Sequence, residues 1–297
     1  PFMFGRTLMT LGLAMLLAAP AHAGFGLVLP DSPIVDDPEK TSLNLVICAI
    51  DPATGAGIPI ERPQVFTALR YSGDNMDRSE HLSVLDEVVA YGARAWTTNI
   101  SLPHPGVYQL VMQTKAGWVP EQDKFVQYVT KVQIPAYGSA EGWDKPANIS
   151  FEISPLSRPF GLCSGMAFSG QALFDGTPIP GALIDVARLD PAIKPNVAQP
   201  EDPNAPPQDD KAQPKAKKQD KQPTPQPISA FGATQQVKAD SQGVFTFVCP
   251  LPGWWAFSTS MAGDPLQDPE GKQKPLEIKT IFWVYMNDCP KTAPSKK

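Results

Sequence analysis

The chain has 297 residues, 42% of them hydrophobic, enough for a substantial core and about two domains by size. Its 34 prolines argue against long helices, because a proline inside a helix removes a hydrogen bond and clashes with the preceding turn. A formal charge of −5 without any basic stripe excludes the usual electrostatics of a nucleic-acid binder.

The first segment reads as a targeting signal. Arg6 supplies a positive start, and Leu8–Ala19 (LMTLGLAMLLAA) is an apolar stretch too short to span a bilayer comfortably. Ala21-His22-Ala23 is a small-x-small cleavage site that places the mature start at Gly24, with Ala19-Pro20-Ala21 as an alternative. Residues 1–23 are therefore expected to be a signal peptide on an exported chain.

Beyond it, apolar runs are short and β-rich, and turn residues interrupt them roughly every 8–12 positions, the pattern of β-sandwiches. The predicted strands are Phe25–Pro30, the nearly all-apolar Leu43–Ile50, Val65–Tyr71, Arg94–Leu102 and Lys124–Ile134. Leu82–Val89 reads equally as a strand or a short helical turn. Pro105-Gly106 turns the chain into another strand, whose Tyr108 has the look of a tyrosine corner, with the hydroxyl bonded to nearby backbone. These elements make one antiparallel sandwich over residues 24–150. Asn148–Pro159, with the strand-like ISFEIS of residues 149–154, is the crossing to a second sandwich over 151–290, whose body begins near Phe160 and continues through Met166–Phe174 and Ala182–Leu189. Pro191–Pro227, proline-rich, poor in aromatics and mixed in charge, is expected to be a disordered insertion, because it buries too little apolar surface to offset ordering entropy. Val237–Ser258 then reads as a meander with a turn at Asp240–Gly243 and a second reversal at Pro250–Gly253. Residues 291–297 read as a flexible tail. The fold class is all-β, with two antiparallel immunoglobulin- or transthyretin-like sandwiches in tandem.

Four cysteines in an exported chain imply disulfides, and four allow three connectivities. If Leu276–Met286 pairs antiparallel with Gly253–Met261, Cys289 returns to the end of the sandwich where Cys249 lies. That favours Cys249–Cys289 and leaves Cys48–Cys163.

Two resemblances rest on specific segments. Gly170–Val186, with its Asp175-Gly176-Thr177-Pro178 turn, and Ala239–Phe247, with Asp240-x-x-Gly243, are similar to carboxypeptidase-regulatory-like and transthyretin-like sandwiches. Nearly the whole mature chain resembles the periplasmic component of ABC-type cobalt and nickel uptake systems. The matching segments are Gly24–Pro30, Trp118–Phe125, Thr130–Val132, Glu141–Pro146, Ile153–Gly161, Gly253–Trp255 and Phe282–Tyr285. This second resemblance implies a periplasmic, non-catalytic accessory protein, a divalent nickel or cobalt ion, and a metal-uptake transporter in the inner membrane as partner. The chain departs from that family's pattern at three histidine positions: Gly24 opens the mature chain, Asp51-Pro52 stands for a His-Pro pair, and Tyr128 occupies the long strand. The imidazoles suited to nickel or cobalt are thereby lost.

Oxygen ligands remain as candidates. Asp51, Glu121 and Asp123 form a candidate metal set, set against the plainer reading of a turn cap and two exposed loop carboxylates. Trp118, Tyr128 and Trp143 are candidate binding residues, set against tryptophans used for packing. His81 and His104 form no ligand-spaced pair, and no nucleophile motif with its base is present, so no enzyme is expected. The function readings are an accessory protein of nickel or cobalt uptake, an exported interaction module that has lost metal binding, and, on the tryptophans alone, a carbohydrate-binding module.

Overall fold

The computed structural model describes residues 24–52, 54–200 and 234–289. The expected signal peptide, the tail and the larger part of the expected insertion lie outside them. In the first half the strands are β1 (Phe25–Pro30), β2 (Ser42–Asp51), β3 (Ala56–Ile58), β4 (Pro63–Ser72), β5 (Asn75–Glu80), β6 (Asp86–Ala90), β7 (Ala93–Ser101), β8 (Gly106–Thr114), β9 (Gly117–Val119) and β10 (Lys124–Ala136). The ambiguous segment splits, with a 3-10 turn at Leu82–Val84 followed by strand β6. β5, NMDRSE, is exposed along its whole length and pairs only with β4, so no apolar alternation announced it. The tyrosine corner is present: the Tyr108 hydroxyl donates to the His104 carbonyl at 3.1 Å and accepts from the His104 N–H at 3.0 Å.

The second half contributes β11 (Phe151–Pro155), β12 (Leu162–Cys163), β13 (Ala167–Phe174), β14 (Thr177–Pro178), β15 (Leu183–Leu189), β16 (Thr234–Lys238), β17 (Val244–Val248), β18 (Gly253–Gln267) and β19 (Gln273–Asn287). The turn before β17 forms as its residues demand. Asp240 Oδ1 accepts the N–H groups of Gln242 and Val244 at 2.8 and 2.9 Å, and Gly243 takes φ +70°.

Two sandwiches are present, and they share a sheet. Ten strands run in the order β16-β15-β18-β19-β10-β8-β4-β5, with β9 and β12 attached, so the joint between the halves is the β10–β19 pair. That pair is parallel, from Phe125↔Leu276 to Val132↔Trp283, whereas β18 and β19 pair antiparallel, as the sequence suggested. A five-stranded sheet, β1-β2-β7-β6 with β3, covers one face of the shared sheet. A four-stranded sheet, β11-β13-β14 with β17, covers the other face in the second half.

This explains why the last strands read as continuous aromatic runs rather than alternating ones, since both of their faces are covered. Trp254, Ala256, Ile281 and Trp283 enter the core beneath β1 and β2, while Trp255, Phe257, Phe282 and Val284 enter the opposite core. Trp283 locks the arrangement by donating its indole N–H to the Gly26 carbonyl at 2.8 Å, across 257 positions of sequence.

Three expectations need correction. The disulfide is Cys163–Cys289, with Cα atoms 5.4 Å apart, and not Cys249–Cys289 or Cys48–Cys163. The cause is β12, a two-residue strand running parallel to β19 that sets Cys163 beside Asn287. Cys48 and Cys249 remain free, buried in opposite cores, where burial pushes both thiols up to about 12. Finally, the insertion expected from Pro191 has an ordered beginning. Val89 and Ala198 exchange backbone hydrogen bonds at 2.8 and 2.9 Å, and Ile193 packs against the first core.

Candidate functional site

The site lies where the five-stranded sheet ends over the shared one. β1 pairs with β2 at Phe25↔Ile50, so Gly24 and Asp51 stand at the same end of that sheet, and β3 adds Ile58 alongside. Beneath them, Tyr128 of β10 and Lys279 of β19 are register partners. Gly24 is buried directly above Tyr128: a Cβ placed on it would collide with the Tyr128 hydroxyl and with Ile58 Cδ1. Gly24 and the Tyr128 ring are thus fitted to one another. The positions where the uptake-family resemblance places its histidines come to this one end of the fold.

Below Gly24 is a cavity of about 210 Å³, walled by Tyr128, Lys124, Asp185, Glu277 and Lys279 on its polar side and by Ile58, Val119 and Val126 on its apolar side. Lys124 Nζ pairs with Glu277 Oε2 at 2.5 Å. Burial by itself would raise the Glu277 carboxyl, but the Lys124 hydrogen bond and the Lys279 charge carry it below its ordinary value. Burial pushes the Tyr128 phenol well above its usual range, helped by the Glu277 charge, so it stays neutral at physiological pH. Burial also pulls the Lys279 ammonium down, against the opposing fields of Glu277 and Asp185.

Asp51 is buried and closes its own turn: its carboxylate accepts from Thr54 Oγ1 at 3.0 Å, and its carbonyl accepts from the Gly55 N–H at 2.7 Å. Glu121 and Asp123 are exposed on the 3-10 turn Pro120–Gln122 and its cap, where Asp123 pairs with Lys274 at 2.5 Å. The three carboxylates do not converge, and among the described residues no group of three or more His, Cys, Asp or Glu side chains is arranged to hold a metal ion. A neutral phenol, a glycine and a carboxylate already engaged in its turn do not fit nickel or cobalt, which favour imidazole.

Trp118 and Tyr128 do come together. Both line a smaller cavity next to the first, of about 110 Å³, where the Trp118 ring packs on Phe125 at 5.0 Å. Trp143 belongs elsewhere. Its carbonyl accepts from Gln133 Nε2 at 2.8 Å, while Trp118 pairs with Phe125 near the other end of β10. At the rise of an extended strand those two ends are roughly 25 Å apart. Sequence reading missed Lys124, Asp185, Glu277 and Lys279. The available signal was the inward-facing series Glu277, Lys279, Ile281, Trp283, in which two charges interrupt a core stripe.

The sequence matches the family described as "Domain of unknown function (DUF4198)" over residues 19–263. The chain belongs to that family. No curated protein matches the chain. Among solved structures it is similar to the D0-D1 domain of intimin, at 9% identity and a TM-score of 0.19, covering 89% of this chain and 100% of that one. It is also similar to a marsupial T cell receptor, at 10% identity and a TM-score of 0.22, covering 90% and 74%. Likenesses of this degree carry no functional argument.

Proposed function

We propose that this protein is a non-catalytic, exported binding module of the periplasm. Its sequence resembles nickel and cobalt uptake components, and its own pocket does not take those metals. The supporting observation is the interlock of Gly24 with Tyr128: a Cβ on Gly24 would collide with the Tyr128 hydroxyl, so these two positions offer a glycine and a neutral phenol and no imidazole. Asp51, the third position, is engaged in its turn. Calorimetry with nickel and cobalt tests the reading, with metal analysis of the protein as purified. No saturable binding below millimolar concentration is expected; micromolar binding of either ion overturns it.

The accessory role in metal uptake, with an inner-membrane transporter as partner, is the second reading. One observation favours it: the three positions named by the resemblance gather at one end of the fold. Under that reading, deletion of the gene lowers cellular nickel or cobalt content. Unchanged metal content in the deletion strain removes it.

A further inference from the structure

The β10–β19 ladder has the Gly24 cavity at one end and a second cavity at the other, and no residue lines both. This second cavity, of about 220 Å³, lies at the seam of the two sandwiches. Trp254 and Tyr285, register partners on β18 and β19, form an aromatic wall, with their rings edge to face and 5.2 Å between centroids. Ile34, Pro135, Pro159 and Phe160 extend the apolar lining.

The polar part of the lining is sparse and one-sided. Arg158 is its one charged residue, and no acidic side chain lines it. The Arg158 side chain is exposed, with its guanidinium 5.5 Å from the Phe160 ring centroid, and no carboxylate pairs with it among the described residues. A guanidinium over an aromatic ring, with its N–H groups open to solvent, is set to receive a carboxylate. Gln133 is the second polar group, and it is 4% exposed. Its Nε2 donates to the Trp143 carbonyl, a residue outside the lining, while its Oε1 is buried and accepts from no donor. A buried acceptor left unmet costs free energy, which a donor arriving with a ligand would recover.

We propose that this cavity binds a small hydroxyaryl carboxylate. Its ring packs against Trp254 and Tyr285, its carboxylate meets the Arg158 guanidinium, and its hydroxyl donates to Gln133 Oε1. An amine in place of the carboxylate finds a cation and no anion in the lining. The volume lies below the range of pockets for drug-sized ligands and suits one ring with its substituents, not a peptide or an oligosaccharide.

This inference goes beyond the reading of the Gly24 pocket, and nickel calorimetry judges that pocket alone. The experiment here is calorimetry of the purified full chain at about pH 7 with 4-hydroxyphenylacetate, phenylacetate and tyramine. At that pH the carboxylate is ionised and the phenol remains a neutral donor. 4-Hydroxyphenylacetate is expected to bind saturably, phenylacetate about threefold or more weakly for want of one neutral hydrogen bond, and tyramine not measurably. Arg158→Gln is expected to weaken 4-hydroxyphenylacetate at least about tenfold, as loss of one charge-assisted hydrogen bond does, with Arg158→Lys retaining part of the affinity. Arg158 is exposed, so both variants are expected to fold, which circular dichroism checks. Phenylacetate or tyramine binding as tightly as 4-hydroxyphenylacetate, unchanged binding in Arg158→Gln, or no binding of 4-hydroxyphenylacetate at about 10 mM each overturns the proposal.

Discussion

Lys131 and Glu152 join the shared sheet to the second sandwich through an ion pair hidden from water. Nζ and Oε2 lie 3.0 Å apart, the side chains are 3% and 7% exposed, and the ammonium sits 5.2 Å from the Phe282 ring. Burial pulls the Lys131 pKa down and Glu152 raises it in return, so Glu152 helps to keep the Lys131 ammonium charged. Replacing one partner leaves the other buried and uncompensated, a loss of about 3–5 kcal/mol. Replacing both with apolar residues of similar volume removes both desolvation costs, which in comparable cases is neutral or stabilising. Lys131→Met and Glu152→Met are each expected to lose about 3–5 kcal/mol, and the double variant to stay within about 1 kcal/mol of the parent. Urea unfolding at pH 7, followed by tryptophan fluorescence and circular dichroism together, measures all four corners of the cycle. Single losses below about 1 kcal/mol, or a double variant that loses the sum of the two, would refute the assignment of a tightly coupled buried pair.

Other expectations follow from the same structure. Gly24→Ala forces Tyr128 or Ile58 to move and is expected to cost about 1–3 kcal/mol, as overpacking does. Tyr128→Ala in the same chain should recover part of that loss, and additive effects would show that the two do not touch. Closing a loop between residues 126 positions apart corresponds to about 5 kcal/mol of unfolded-state entropy, so Cys163→Ser is expected to cost up to that amount. Peptide mapping should find Cys163 joined to Cys289, with Cys48 and Cys249 alkylated only after unfolding; a bridge to Cys249 would contradict the fold. The Glu277 carboxyl has its pKa below the reference value of 4.5 in the folded state, so its contribution is complete above that value and is lost as pH falls through the folded pKa. Glu277→Gln should flatten that acid limb in a pH series of urea midpoints, and an unchanged limb would place the acid sensitivity elsewhere.

The all-β class was legible in the sequence because it depends on local features: short β-branched and aromatic runs, turn residues at regular intervals, and prolines that forbid helices. Individual devices were legible for the same reason. Tyr108 reaches back only four residues, and Asp240 caps a hairpin within four. Gly24, Asp51 and Tyr128 were singled out in one dimension only through the uptake-family resemblance. What tertiary structure alone decided were pairings between distant segments. The parallel β10–β19 ladder fuses two sandwiches through one sheet, and a two-residue strand, too short to have a pattern, chose the disulfide. The Gly24 cavity is of the same kind. Its walls come from β10, β15 and β19, separated by tens of residues or more, and Lys279 meets the Phe25 ring only when β1 is laid over it. Local propensity acts over a few residues, whereas the burial of a charge is set by whatever the rest of the chain brings against it.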